Sequence, residues 1–573
     1  MAVVRGLLLA LCVVPTALLV EGSAHADGTG PVRHLDRRGR MVEDACPDTP
    51  GQKHCYLHRI VDVPFSAPSS LGGDNMASLY NMPASASGHY ATVAAVDAYG
   101  DSPVLTDVNT YRAIYGLGPI VKCPGTLPPV GTGVPGADGG PMTPCLAVVN
   151  QTGGTNLPGD DRGWAGESSL DVEMMSAGCP DCNIVLVEAN TPSSDLDVAV
   201  QFAGTIPGIV AVSNSYGSTE SAGSASEEPY YHLPAGVLDL ASTGDAEYNN
   251  IGQNGQAPGY PGSSQYVLGV GGTEVSAASP LANPAFDGAA GRPWRESSWN
   301  LYPATGSAVG TTSGCSQVFS QPSYQAGLTG SCTNRAEADV SAAADYQSLM
   351  GTGGIAEYCA LEGGWTTVEG TSASSPLMAG LLARLGLASV IANNPAWPYT
   401  NMKSFYDISL GYNYTTADCS NPVMCNAGCG WDGPTGVGTP DGFDMLAMAP
   451  SESPCVYVDA GSSSSSSSGS SSGSGSSSGS GSSSGSGSSS GSGSSSGSSS
   501  EDSGSGSGSG SSSGGIVDAS IGDGGGEGGS NADATTKGGC GCFLAANGAT
   551  GAGQALLALG GLGLALGLRR RRR

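Results

Sequence analysis

From Gly461 to Gly515 the chain contains only glycine and serine, apart from Glu501 and Asp502. Such a tract has no apolar side chains to bury, so nothing offsets the entropy of ordering its backbone. It reads as the heart of a disordered Gly/Ser-rich linker over residues 451–539, with a reach of roughly 40 Å for its length. The globular part of the chain must therefore come before it. Residues 85–450 are long enough to bury a substantial core. Within them short β-branched runs such as "YATVAAVDAYGD", "CNIVLVEAN" and "GIVAVSNSYGS" alternate with helical patterns at Leu170 to Ala177 and Asp195 to Ala203. Apolar strands separated by helices predict an α/β domain with a mostly parallel sheet flanked by helices.

The two ends of the chain read as addresses. Arg5, the apolar run Gly6 to Val20 and Ala24-His25-Ala26 form a secretory signal peptide, residues 1–26. A short polar extension of propeptide-like length follows, residues 27–84, carrying Cys46, Cys55 and the basic cluster Arg37-Arg38-Gly39-Arg40. At the other end, residues 540–573 hold Cys540-Gly-Cys542, a hydrophobic helix and five terminal arginines. That order resembles the MYXO-CTERM sorting tails of myxobacterial surface proteins. The resemblance implies processing machinery acting near Cys540 and Cys542, and passage through a membrane by the C-terminal helix before processing. The resulting expectation is a secreted bacterial protein at the cell surface or outer membrane.

Export changes the meaning of cysteine. Of the 16 cysteines, Cys12 lies in the signal and Cys540 and Cys542 in the tail, which leaves 13 in the body. Most are expected in disulfides. Cys179-Pro-Asp-Cys182 reads as a structural disulfide, because no second CxxC at zinc-site spacing accompanies it. The formal net charge is −28. A surface so acidic excludes nucleic acid as a natural partner.

Chemistry is concentrated in "GTSASSPLMAGLLARL", where Ser372 stands at the start of an apolar helix. A serine hydroxyl needs a base to become a nucleophile. Histidine is scarce: there are six, and within the α/β domain only His89 and His232. Neither sits in a His-Gly-Thr-His setting. Carboxylates are the other source. "WAGESSLDVEMM" puts Glu167 and Asp171 four residues apart, on one helix face. Two adjacent carboxyls share protons and their pKa values split, so one can act as a base in mild acid while the other orients it. Glu173 falls off that face and is expected to be solvated. A third acid, Asp245, follows the strand "VLDLAS" in a Gly-Asp turn, where sites on open parallel sheets collect. Protonated, it could donate a hydrogen bond to an oxyanion; ionised, it would repel one.

These segments in this order resemble the sedolisins, serine-carboxyl peptidases of subtilisin-like fold. "GTSASSP" at 370–376 matches the nucleophile motif, "GESSLD" at 166–171 the acidic helix and "STGDA" at 242–246 the oxyanion loop. The resemblance spans roughly residues 75–445 and implies a subtilisin-like fold. It assigns Ser372 as nucleophile, Glu167 as base, Asp171 as its supporting acid and Asp245 as the oxyanion acid. It also implies one calcium ion, held by Asp407, Asp432 and the carbonyls of Ile408, Gly428 and Gly430, with water completing the hard-oxygen shell. The chain departs from the family in its short N-terminal extension, in Tyr216 where the best-known members have tryptophan, and in Asp97 where some have glutamate. The expected function is a monomeric, calcium-bound endopeptidase acting on proteins or peptides in acid. The alternatives are a subtilisin-like enzyme using His89 or His232, and an inactive surface adhesin of the same fold.

Overall fold

The computed structural model describes residues 33–447 apart from 37, 62–69, 84–88, 137–139, 249–257, 278–292, 302–308, 349–352, 415–418 and 420. The signal peptide, the linker and the Cys540–Cys542 tail lie outside the described residues. Among the described residues no helix is long and apolar enough to cross a membrane.

A nine-stranded sheet forms the centre. Its path runs Trp294–Ser298, Leu268–Ala277, Leu238–Ser242, Ile209–Asn214, Thr92–Ala98, Asn183–Ala189, Cys145–Asn150 and Val121–Lys122, with Val340–Gln347 joined to Leu268–Ala277. Every pairing is parallel except that of Trp294–Ser298 with Leu268–Ala277. The three β-branched runs singled out above form Thr92–Ala98, Asn183–Ala189 and Ile209–Asn214, and all but one of their residues are buried. Burial on both faces explains why they read as continuous apolar runs rather than alternating ones. The strand Thr92–Ala98 lies between Asn183–Ala189 and Ile209–Asn214, so chain order reverses there. That is where a crevice opens at the carboxyl edge of a parallel sheet.

Two helices meet over this edge. The acid helix, Arg162–Gly178, is capped by Asp161, whose side chain accepts from the N–H groups of Gly163 and Trp164. The nucleophile helix is Thr371–Leu385. They pack closely because Gly178 and Gly380 face one another. A Cβ on Gly178 would fall 2.7 Å from the Leu377 carbonyl oxygen, and one on Gly380 would fall 2.6 Å from that of Met175. The described disulfides are Cys46–Cys55, Cys123–Cys145, Cys179–Cys182, Cys315–Cys332 and Cys419–Cys425. Cys359 is a free, buried thiol.

One expectation is overturned on the acid helix. Glu173 is buried, not solvated, and accepts from the Tyr358 N–H. The helix lies under the hairpin of Ile355–Cys359 and Gly364–Glu369, so even its off-face positions are covered. The extension is also more than a leader. Arg33–Leu35, Met41–Asp44 and His58–Ile60 add three antiparallel strands to that same hairpin. His54–Cys55 pairs with Tyr216–Thr219 at the crevice.

Candidate active site

The strand Gly364–Glu369 enters the nucleophile helix through Gly370, whose φ of +140° lies in the region that favours glycine. Ser372 sits in the first turn and is fully buried. Pro376, four residues on, has no N–H to give the Ser372 carbonyl. That carbonyl instead accepts from Ser215 Oγ at 3.3 Å. The same Ser215 hydroxyl lies 2.7 Å from Asp171 Oδ1, tying the nucleophile helix to the acid helix.

Glu167, Asp171 and Asp97 gather beneath Ser372. One oxygen from each lies within 4.8 Å of the others, and all three residues are buried. Burial pushes the Glu167 carboxyl well above the ordinary range; Asp171 and Asp97 push it further, while Ser372 pulls it part of the way back. Asp171 is raised well above its usual value by burial and by Asp97. Asp97 is pushed up to about 8 by burial, against a hydrogen bond from Ser168. Neither Glu167 oxygen has a hydrogen bond of ordinary geometry. The Ser372 hydroxyl donates to the Ser215 carbonyl and accepts from the Tyr56 N–H, each at 3.1 Å. Among the described residues no cation pairs with these three acids, so they read as a store of protons rather than an ion pair.

Asp245 approaches from the other side. Its Oδ1 accepts from the N–H of Thr371 at 2.9 Å and its hydroxyl at 2.7 Å. Its Oδ2 lies 3.0 Å from Nε2 of His58, whose Nδ1 is 2.8 Å from Asp44. Hydrogen bonds and charge from these two acids outweigh burial and hold the His58 pKa well above its usual value. The structure thus brings Ser372, Glu167, Asp171 and Asp245 into one site. His89 lies elsewhere on the surface beside Asp181 at 3.1 Å, and His232 stacks on Tyr266. Sequence reasoning missed Ser215 and the extension residues Tyr56 and His58. The "SNSYG" segment carries no local signal that marks Ser215 as the bridge.

Of the expected calcium ligands, Asp407 and Asp432 each accept from a glycine N–H of the segment 428–430, Asp407 Oδ2 from Gly430 and Asp432 Oδ2 from Gly428, each at 3.0 Å. Asp432 is fully buried, and its carboxyl is raised chiefly by burial, with a contribution from Asp407. Asp407 is pushed up to about 6 by burial. Two carboxylates from different segments, close enough for Asp407 to raise Asp432, are donors of the type a hard divalent cation takes.

This sheet, helix pair and serine site have a subtilisin-like arrangement. The subtilase family model matches residues 152–407. Kumamolisin from Bacillus sp. (strain MN-32) is 33% identical over 342 residues, covering 55% of this chain and 56% of that protein. Sedolisin from Pseudomonas sp. (strain 101) is 32% identical over 197 residues, covering 32% of this chain and 28% of its own. A solved Pseudomonas sedolisin, a serine-carboxyl proteinase complexed with two molecules of pseudo-iodotyrostatin, overlays with a TM-score of 0.49 at 22% identity, covering 66% of this chain and 97% of that one. The chain spans about half, or less, of the length of these curated relatives. Within that subtilisin-like group, the curated relatives named here are similar to this chain over part of their length.

Proposed function

We propose that the chain is a serine-carboxyl peptidase that hydrolyses peptide bonds at acidic pH. The observation that carries this reading is the buried, cation-free run of Asp97, Asp171 and Glu167 ending at Ser372. Glu167 takes the Ser372 proton as Oγ attacks the substrate carbonyl, then returns it to the leaving amine. Asp171 shares protons with Glu167 and is oriented by Ser215. Asp97 extends that store. Asp245, when protonated, donates to the oxyanion beside the Ser372 N–H. Its Oδ2 lies beside His58 Nε2 at 3.0 Å.

Asp407 and Asp432, with carbonyls of Ile408, Gly428 and Gly430, would hold one calcium ion. Bound there, the ion would neutralise two buried carboxylates and brace the loop. The substrates are proteins or peptides. Export through residues 1–26 and surface display through the tail at Cys540 and Cys542 belong to the same reading.

The test is a pH–rate profile on a peptide library, with Ser372→Ala beside the parent. An optimum well below neutral that vanishes in the variant supports the carboxylate mechanism. Activity confined to neutral pH would move the base to a histidine. Folded protein inactive at every pH would favour an adhesin.

A further inference from the structure

A cavity of about 330 Å³ lies at the end of the sheet away from the crevice. Leu238, Leu268 and Asp339 line it, each at or just before the amino end of one of three neighbouring strands, Leu238–Ser242, Leu268–Ala277 and Val340–Gln347. Asp245 follows the carboxyl end of the first of these strands. The cavity and the catalytic crevice therefore lie at opposite ends of the same sheet. Its volume is enough for a small organic molecule.

One group in the wall is left without a partner. Asp239 lines the cavity and is only 2% exposed. Its Oδ1 accepts from the Asn214 side-chain amide at 2.7 Å, but its Oδ2 has no hydrogen bond of ordinary geometry. Burial pushes its carboxyl well above the usual range; the Asn214 bond pulls it part of the way back and the charge of Glu228 pushes it up again. A buried polar oxygen without a partner is costly, so such atoms call for a ligand or a neighbour. The other acid in the wall, Asp339, already has Arg335 and Tyr399. Among the described residues no lysine or arginine lines the cavity. Leu233, Val237, Val267 and Ile391 make much of the remaining wall apolar. His232 and Tyr266 line it as exposed rings, stacked with centroids 4.2 Å apart.

We propose that this cavity binds a small organic cation, a primary ammonium on an apolar body about the size of a phenyl ring, with the ammonium at Asp239 Oδ2 and the body between the aliphatic wall and Tyr266. The ammonium supplies the donors and the positive charge that Asp239 lacks. The body covers apolar wall, and the Tyr266 ring face attracts the cation end as it enters. A chain of net charge −28 draws cations to its surface and disfavours anions of the same shape. Nothing in this site calls on Ser372, so it stands whether or not the chain is a peptidase.

The experiment titrates phenethylamine into the full Ser372→Ala chain at neutral pH by calorimetry. 2-Phenylethanol and 3-phenylpropanoate are titrated beside it, because they keep the body and change the charge. The expected result is one saturable site for the amine, with an affinity about tenfold or more above that of the alcohol or the acid. Asp239→Asn keeps the shape of the side chain and removes its charge, and should weaken the amine by about tenfold or more. Ala392→Phe fills the cavity from its wall and should abolish binding; it decides the matter if Asp239→Asn does not fold. Equal binding of the three probes overturns the role of Asp239. Amine binding that survives both variants lies elsewhere on the chain and overturns the site. No saturable binding of the amine overturns the proposal outright.

Discussion

Two buried acidic clusters in this molecule are built on opposite rules. Asp339 lies against Arg335, whose guanidinium reaches Asp339 Oδ1 at 2.9 Å and the carbonyls of Val267 at 3.2 Å and Ser264 at 3.4 Å. Tyr399 donates to the same Oδ1 at 2.6 Å. Charge there is matched and the remaining polar atoms are bonded. Asp97, Asp171 and Glu167 have equal burial and, among the described residues, no cation, and their pKa values are all raised. The Arg335 cluster ties Leu268–Ala277 to the segment entering Val340–Gln347. The triad cluster leaves an affinity for protons unspent beside a hydroxyl. The difference teaches that burial alone does not assign a carboxylate its task; the presence or absence of a guanidinium does.

The largest expected effects break the comparison from the catalytic side. Ser372→Ala and Glu167→Gln should each lower kcat by about four orders of magnitude or more, read on a peptide substrate in acid. Neither should lower the melting temperature, because neither strands a buried charge. Arg335→Ala should do the reverse. It leaves Asp339 buried without its partner and should cost about 3–5 kcal/mol of folding stability in denaturant titration. A stable Arg335→Ala protein, or an unstable Glu167→Gln protein, would dissolve the contrast. Asp245→Ala comes next, at about 2.7–4 kcal/mol of transition-state stabilisation. Full activity in that variant would remove Asp245 from the oxyanion site.

A pH titration of stability sharpens the same contrast. Burial pushes Asp97, Asp101 and Glu247 to about 8 and Glu188 to about 7. Their unfolded values lie near 4. Between those limits the folded chain holds protons that the unfolded chain releases, so stability is full in acid and falls as pH rises toward 8, by up to about 1.4 kcal/mol per pH unit for each such group. Calorimetry on Ser372→Ala, which cannot digest itself, should show the melting temperature dropping from pH 5 to pH 8. A rise over that range would mean these acids are ionised in the fold. The smallest effect expected is that of calcium. Chelation should lower the melting temperature by mass action, and Asp432→Asn should abolish that response. An unchanged curve would exclude a bound ion at Asp407 and Asp432.

Much of the architecture was legible in local patterns. Runs such as "IVLV" favour strands buried on both faces, because four apolar, mostly β-branched neighbours in a row suit a sheet covered on both sides. Glu167 and Asp171 could be placed on one face from their spacing alone. Gly370, Ser372 and Pro376 carried their roles in their order. What local pattern misjudged was Glu173, because its burial depends on a hairpin almost two hundred residues away.

By itself, then, the sequence determined the alternation of strands and helices and the residues able to do acid–base and nucleophilic chemistry. These depend on side chains a few positions apart. Only the tertiary structure decided that Asp97 joins the triad, that Ser215 bridges two helices, and that Tyr56 and His58 of the extension reach Ser372 and Asp245. Each of those contacts closes a loop of tens to hundreds of residues. No local propensity encodes such closure, because its entropic cost is met only when strands and helices dock together.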